Sequence, residues 1–574
     1  MLNMSDFNPP STGSWHLETV HAWRPRSSIM TAIGCDESAT AGFAESMRRY
    51  GLLLERIDFG EINRFQYTCV RAVGAPRRAS AGPPPKLVFT LMTKMHPEIR
   101  RRNRTISGVF ASKMWRQDVD RWDNEIKPEL IRKNTGLQHV DLGGLDDVKL
   151  IEHLGRCFAA VSDSWRQHHA LNATCLLPVG DFLVHAQDWT GAGVDTLLPV
   201  LSGASPASLG AVAELAGVRA ALISDPPAAA LLDGDDAEET IAALLAHPGD
   251  VGAAVRAYLD VAGVRMVTGY DVADLTLAEM PDVVVGNLRA ALASRSSNGD
   301  AMVSDRAGAG RPVIPASAGE VRAMVPPDHH REFDDLLVEA RLTYRIRDER
   351  TYFNDTWSTG IARRAVLEAG RRLAADGRLH AADDAVELVP AELYAALRGD
   401  GAAIADIAAE RTAFRLGHTT DDAPEWVGGP EPGDPPPAEW LPPDAARGQR
   451  AIGLVINSIF ESTPAAGSAR VISGTGASSG AVTGSARVVL APAEMGRLRQ
   501  GDVLVAPYTS PAFNGVLPLV SAIVTDRGGS LSHAAIVARE FGIPAVVGCG
   551  DATRRVKDGQ TIDVDGQAGT VSLR

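Results

Sequence analysis

A histidine closes the run Gly-Gly-Ser-Leu-Ser-His at residues 528–533. An apolar run at 520–524 leads into it and reads as a buried strand. Gly528 and Gly529 then make a sharp turn, and Ser532 is a good helix N-cap. The spacing predicts a helix from His533 to about residue 541, stopped by Gly542, with a second apolar strand at 543–547. His533 therefore falls in the first turn of a helix. The N–H groups of a helix start point outward, and the macrodipole places roughly +0.5 charge there. Phosphate is attracted to such an end. The same field disfavours imidazolium and keeps the ring neutral and nucleophilic. The two glycines keep side chains out of the approach path. A neutral imidazole on an anion-stabilising helix end can attack a phosphoryl group and hold it covalently. On spacing alone, a plain helix-start histidine behind a tight turn is an equal reading, because glycine pairs before helices are common.

Residues 528–548, GGSLSHAAIVAREFGIPAVVG, resemble the phosphohistidine segment of the PEP-utilising enzymes. That family includes pyruvate phosphate dikinase, phosphoenolpyruvate synthase, rifampicin phosphotransferase and phenylphosphate synthase. The match takes in the glycine pair, Ser-His-Ala-Ala, Ala538-Arg539 and Gly542-Ile543-Pro544. The resemblance implies that His533 accepts a phosphoryl group and ferries it between active sites. Gly528, Gly529 and Ser532 are then the phosphate-stabilising residues. Leu531 stands where the dikinases usually carry threonine, so regulation through that hydroxyl is not expected.

The rest of the chain must present this histidine to its reaction partners. With 574 residues, 45% of them hydrophobic, it can build several cores. A net charge of −14 argues against nucleic-acid and membrane-surface binding. The cluster Arg100, Arg101, Arg102 and Arg104 reads as a solvated helix face. Five cysteines, none in a CxxC pair, argue for a reducing compartment and against disulfides or zinc. No metal site is expected, and His168-His169 reads as surface or packing residues. No signal pattern or membrane-spanning run is visible, so a cytoplasmic protein is expected.

The pattern to residue 200 is mostly helical, for example at 44–54, 145–169 and 171–186. Strands are expected near 56–73 and at 87–92, separated by the loop RRASAGPPP. The segment HAWRPRSS at 21–28 is basic and aromatic and is weakly similar to openings of some family acceptor regions; an ordinary packing arm is the competing reading. Residues 204–259 are alanine-rich and helical, and 294–327 read as a glycine-, serine- and proline-rich loop.

GVRMVTGYD at 263–271 resembles the family's Gly-His-Arg segment, with Val264 in place of the histidine. It nominates Arg265 and Asp271 as substrate-binding residues, with a structural ion pair as the competing reading. Residues 331–377 resemble the arginine-rich acceptor-domain helix. Arg341 and Arg345 share a face, as do Arg347 and Arg350, and Arg347 is the choice to meet a phosphorylated product. Asp383, Leu388 and Glu392 stand as in a small acidic stretch of the family.

The expected architecture is multidomain. A mainly α-helical acceptor-binding region, 1–420, with one or two subdomains, precedes a proline-rich linker at 421–465. A compact α/β phosphohistidine swivelling domain follows at 466–574. The order is similar to rifampicin phosphotransferase without its ATP-grasp domain, or to a phenylphosphate synthase subunit. No glycine-rich phosphate loop with its lysine is visible. The resemblance then implies that an ATP-grasp partner holds ATP and Mg²⁺, and that His533 carries the phosphoryl group to a hydroxyl of a small acceptor. A phosphorylation-dependent dehydratase and a regulatory protein with a relict histidine domain remain the alternatives.

Overall fold

The computed structural model describes all residues except 1–5, 20–21, 23, 75–83, 206–211, 294–315, 401–403, 461–469, 491, 510–512 and 514–515. The chain forms two compact units, each assembled from three stretches. The first comprises Met1–Val184, Tyr270–Ala273 and Phe353–Leu454; the second comprises His185–Gly269, Asp274–Tyr352 and Val455–Arg574. Helices dominate, and the C-terminal residues form an α/β domain.

In the first unit, a four-stranded antiparallel sheet is built on the hairpin Leu54–Ile62 and Phe65–Ala72. Trp15–Leu17 adds to Phe65–Ala72, and Trp426–Val427 adds at the edge. Both turn residues of the hairpin, Asn63 and Arg64, have positive φ, 51° and 67°. Phe65 and Tyr67 fill the core beneath, with Trp15 and Phe7. The helix Cys35–Tyr50 packs on the helix Asp147–Ala170 closely enough that a Cβ at Gly42 would lie 2.1 Å from the Arg166 carbonyl oxygen. Asp147–Ala170 also meets the helix Thr356–Ala375, through a 2.6 Å hydrogen bond between Ser164 and Ser358.

Several expectations change here. Residues 87–92 are not a strand but part of the helix Lys86–Met95. Their β-forming types suggested extension, yet Phe89 and Thr93 are buried four apart, as a helix requires. Arg102 is not solvated: it is 2% exposed, pairs with Glu98 at 2.8 Å and donates to the carbonyls of Leu52 and Leu54. Of the expected connector 421–465, the described part holds the edge strand and an 18-residue helix, Pro443–Phe460. Proline is tolerated in a first helical turn, and buried Ala451, Ile452 and Val455 repeat at helical spacing beyond it.

The α/β domain of the second unit carries an eight-stranded sheet. Its centre is four parallel strands side by side: Ala481–Val488, Asp502–Ala506, Val520–Thr525 and Ala545–Val547. Thr475–Ser478 closes one edge antiparallel; Thr561–Asp565, Thr570–Leu573 and Val471–Ser473 extend the other. Of the parallel strands, Asp502–Ala506 and Ala545–Val547 are buried at every position. The turn expected at Asp565-Gly566 joins the last two strands of the chain.

Candidate phosphoryl-carrier site

The strand Val520–Thr525 ends, Gly528 and Gly529 turn the chain, and the helix His533–Phe541 starts. Gly528 has φ 106°, and a Cβ there would stand 2.8 Å from Ser532 Cβ. Only glycine fits this turn without a shift. Gly542 ends the helix at φ 68°. Ser532 is the N-cap, but its hydroxyl does not cap the backbone, and among the described residues it has no hydrogen-bond partner although it is buried. An unanswered hydroxyl beside the first N–H groups of a helix is a donor set for an anion.

His533 is 9% exposed, not fully open as its place on a helix end suggested. Its Nδ1 lies 2.9 Å from Thr509 Oγ1. Thr509 follows the strand Asp502–Ala506, which runs parallel to Val520–Thr525. Both groups thus sit past the carboxyl ends of neighbouring parallel strands, where such sheets place their sites. Sequence reasoning missed Thr509; its position three residues beyond an apolar strand was the available signal.

Two further residues hold the turn. Arg539, from the last turn of the helix, donates to the Ser530 carbonyl at 2.8 Å and to the Ala477 carbonyl at 2.8 Å. Ser530 donates its hydroxyl to Asp195, whose carboxyl is pushed up from its ordinary range by burial. The neighbouring Glu540, 2% exposed, accepts from the Gly203 N–H at 2.9 Å. The histidine helix is therefore bonded to the loop and short helix around 195–203 within its own unit.

Gly528, Gly529, Ser532 and His533 lie together at the turn and the helix start. The three nominated substrate residues do not all belong to one unit. Arg265 and Arg347 belong to the second unit, whereas Asp271 belongs to the first. Arg265 is 7% exposed, its guanidinium stacked 4.1 Å from the Tyr352 ring centre, and burial lowers its pKa. Arg347 is half-buried on the short helix Ile346–Arg350. It shares electrostatic contact with buried Tyr344 together with Arg539, Asp348 and Glu540, so it stands near the histidine helix. Asp271 accepts from the N–H groups of Ser27 and Ala273, at 2.9 and 2.8 Å.

The strand, turn and helix belong to a small α/β domain that carries His533 at a helix start. Residues 498–569 match the family model described as "PEP-utilising enzyme, mobile domain". The chain is 31% identical over 247 residues to the "Uncharacterized phosphotransferase YvkC" of Bacillus subtilis, covering 43% of this chain and 28% of that one. Over 81 residues it is 54% identical to the phosphoenolpyruvate synthase of Escherichia coli, covering 14% of this chain and 10% of the other. Over 96 residues it is 46% identical to the rifampicin phosphotransferase of Streptomyces sviceus, covering 17% and 11%. The chain thus spans under a third of each of these relatives. Among the described residues, no single helix is long and apolar enough to cross a membrane.

Proposed function

We propose that this chain is a phosphotransferase that carries a phosphoryl group on His533 to a hydroxyl of a small organic acceptor. The observation that carries the reading is the helix start itself. Thr509 engages Nδ1 of His533, and the buried Ser532 hydroxyl next to it lacks a partner. With Nδ1–H donating to Thr509, the Nε2 lone pair is the nucleophile. Nε2 attacks the β-phosphorus of the nucleotide, the α–β P–O bond breaks with AMP as leaving group, water releases the γ-phosphate as orthophosphate, and the helix N–H groups and the Ser532 hydroxyl receive the anionic oxygens of the phosphoryl group left on Nε2. In the second step the acceptor oxygen attacks, the P–N bond breaks, and His533 returns to its neutral form while the hydroxyl proton leaves to a base. Similarity to a protein named as a phosphotransferase and to a rifampicin phosphotransferase supports transfer to an acceptor.

ATP and Mg²⁺ belong, on this reading, to an ATP-grasp partner. The α/β domain then swivels between donor and acceptor. The test uses potassium phosphoramidate, a small phosphoryl donor that needs no partner. The full chain should gain one acid-labile, base-stable phosphate on Nε2 of His533, and His533→Ala should gain none at that peptide while keeping its melting temperature. Equal labelling of the alanine variant would falsify the assignment.

A further inference from the structure

The turn and helix that carry His533 are tied to other parts of the second unit, and the ties use groups that a phosphate needs. The first tie is to the helix Pro443–Phe460, whose residues from Val455 on belong to this unit. The last four carbonyls of a helix have no partner within it. Here the glycine turn answers two of them. Gly529 donates its N–H to the Ile459 carbonyl at 3.2 Å, and Leu531 donates to the Ser458 carbonyl at 2.9 Å. A phosphate seeking these N–H groups meets carbonyl oxygens already in place. They stand at a helix end that carries roughly half a negative charge.

The second tie is to the segment 195–205. Asp195, on the short helix Val194–Leu197, accepts from the Ser530 hydroxyl in the middle of the turn. Gly203 donates its N–H to Glu540, on the histidine helix, at 2.9 Å. The segment is itself fixed. Buried Arg341 donates to the carbonyls of Val200 and Ser202, at 2.5 and 3.0 Å, and the Ser205 hydroxyl donates to Asp348 at 2.6 Å. A third contact is apolar. Leu519, just before the strand Val520–Thr525, packs on the helix Pro281–Ala293 so closely that a Cβ at Gly286 would lie 3.2 Å from its Cδ2. The turn does not need these ties to form. Within the α/β domain Arg539 already holds the Ser530 carbonyl, and the Ser532 N–H donates to the Gly529 carbonyl at 2.9 Å. The ties therefore fix where the turn sits, and there His533 is 9% exposed.

We infer that these ties are a latch: they hold His533 shielded, and the Ser530–Asp195 bond must break before a phosphoryl donor reaches the ring. Opening frees the N–H groups of Gly529 and Leu531 for the incoming phosphate at the same moment, so access and anion binding are switched together. The latch rests on the phosphotransferase reading for its purpose. Its shielding does not, because any small electrophile that attacks imidazole reports it. Asp195 is the place to cut. It keeps an exposed surface, so truncating it opens no core.

The full chain, Asp195→Ala, Ser530→Ala and the double variant are treated with diethyl pyrocarbonate, which acylates accessible imidazole, and separately with potassium phosphoramidate. Mass spectrometry of the His533 peptide reads both rates. Each single variant should react about tenfold faster than the parent with both reagents, the worth of one hydrogen bond to a charged group. The double variant should be no faster than the quicker single one, because both changes remove the same bond. Thermal unfolding and amide exchange of the sheet core show that the variants fold as the parent does. The latch is overturned if acylation fails to rise in one or both single variants, if the two effects add, or if the rise comes with equally faster exchange of the sheet core. Faster acylation without faster labelling, in a chain that phosphoramidate does label, also overturns it, because shielding acts on both reagents. Faster acylation in variants of a chain that phosphoramidate never labels leaves the latch standing and removes the carrier.

Discussion

On the carrier reading, the bond from Thr509 to Nδ1 leaves Nε2 of His533 as the reacting nitrogen. Replacing Thr509 with valine keeps the shape and removes the 2.9 Å side-chain bond to Nδ1 of the ring. Phosphoramidate labelling of Thr509→Val should slow about tenfold. Part of the label should move to Nδ1, which phosphorus NMR of the labelled chain resolves. Unchanged rate and position would show that Thr509 does not orient the ring. Glu61 allows a test by pH. Burial raises its carboxyl to about 7 from 4.5, so the folded state favours the protonated form. The stability this contributes is complete below pH 4.5 and is lost as pH rises through 7. Glu61→Gln should therefore gain stability relative to the parent as pH rises between those limits, by about 3 kcal/mol at most. A constant difference across pH 4–8 would mean that Glu61 is well solvated.

At the scale of elements, the strand, turn and helix around His533 were legible almost residue by residue. Glycine, N-cap and apolar runs all pointed to one structure there. Elsewhere, local signals pointed two ways. Residues 87–92 are rich in Val, Phe and Leu and read as a strand, but Pro85 opens a helix whose Leu87, Leu91 and Met95 stay exposed. The prolines of 421–443 masked the helix that follows them. The helical region was hardest, because Arg26 meets the charges of Asp36, Glu61 and Asp271, and no spacing in the sequence records such a meeting. Arg539 supplies the test at this scale. One guanidinium forks to two carbonyls, on the turn and on the edge strand Thr475–Ser478. Lysine cannot reproduce that fork. Both Arg539→Lys and Arg539→Leu should speed amide exchange across 528–533 while the sheet core stays protected. Exchange that rises equally in both places would mean global destabilisation.

For the molecule as a whole, the carrier reading demands a source for the phosphoryl group. The histidine helix offers a nucleophile and an anion cradle, but ATP cleavage also needs a metal-bound triphosphate gripped by cationic and backbone groups. The sequence shows no glycine-rich phosphate loop with its lysine. YvkC, similar over 247 residues, is much longer than this chain, which spans 28% of it. The pure chain with ATP and magnesium is therefore expected to release no AMP and to gain no label on His533. Adding a purified ATP-grasp domain, such as that of a phosphoenolpyruvate synthase, or the cognate protein, should give AMP and label His533 together. The same mixture with His533→Ala should leave the histidine peptide unlabelled. Mass spectrometry of the peptide and chromatography of the nucleotides read both outcomes in one experiment. Stoichiometric labelling of His533 by the chain alone would place a nucleotide site within it, and the two-protein scheme would fall. Labelling that requires the partner and yields AMP would establish the chain as the receiving half of a divided phosphotransferase.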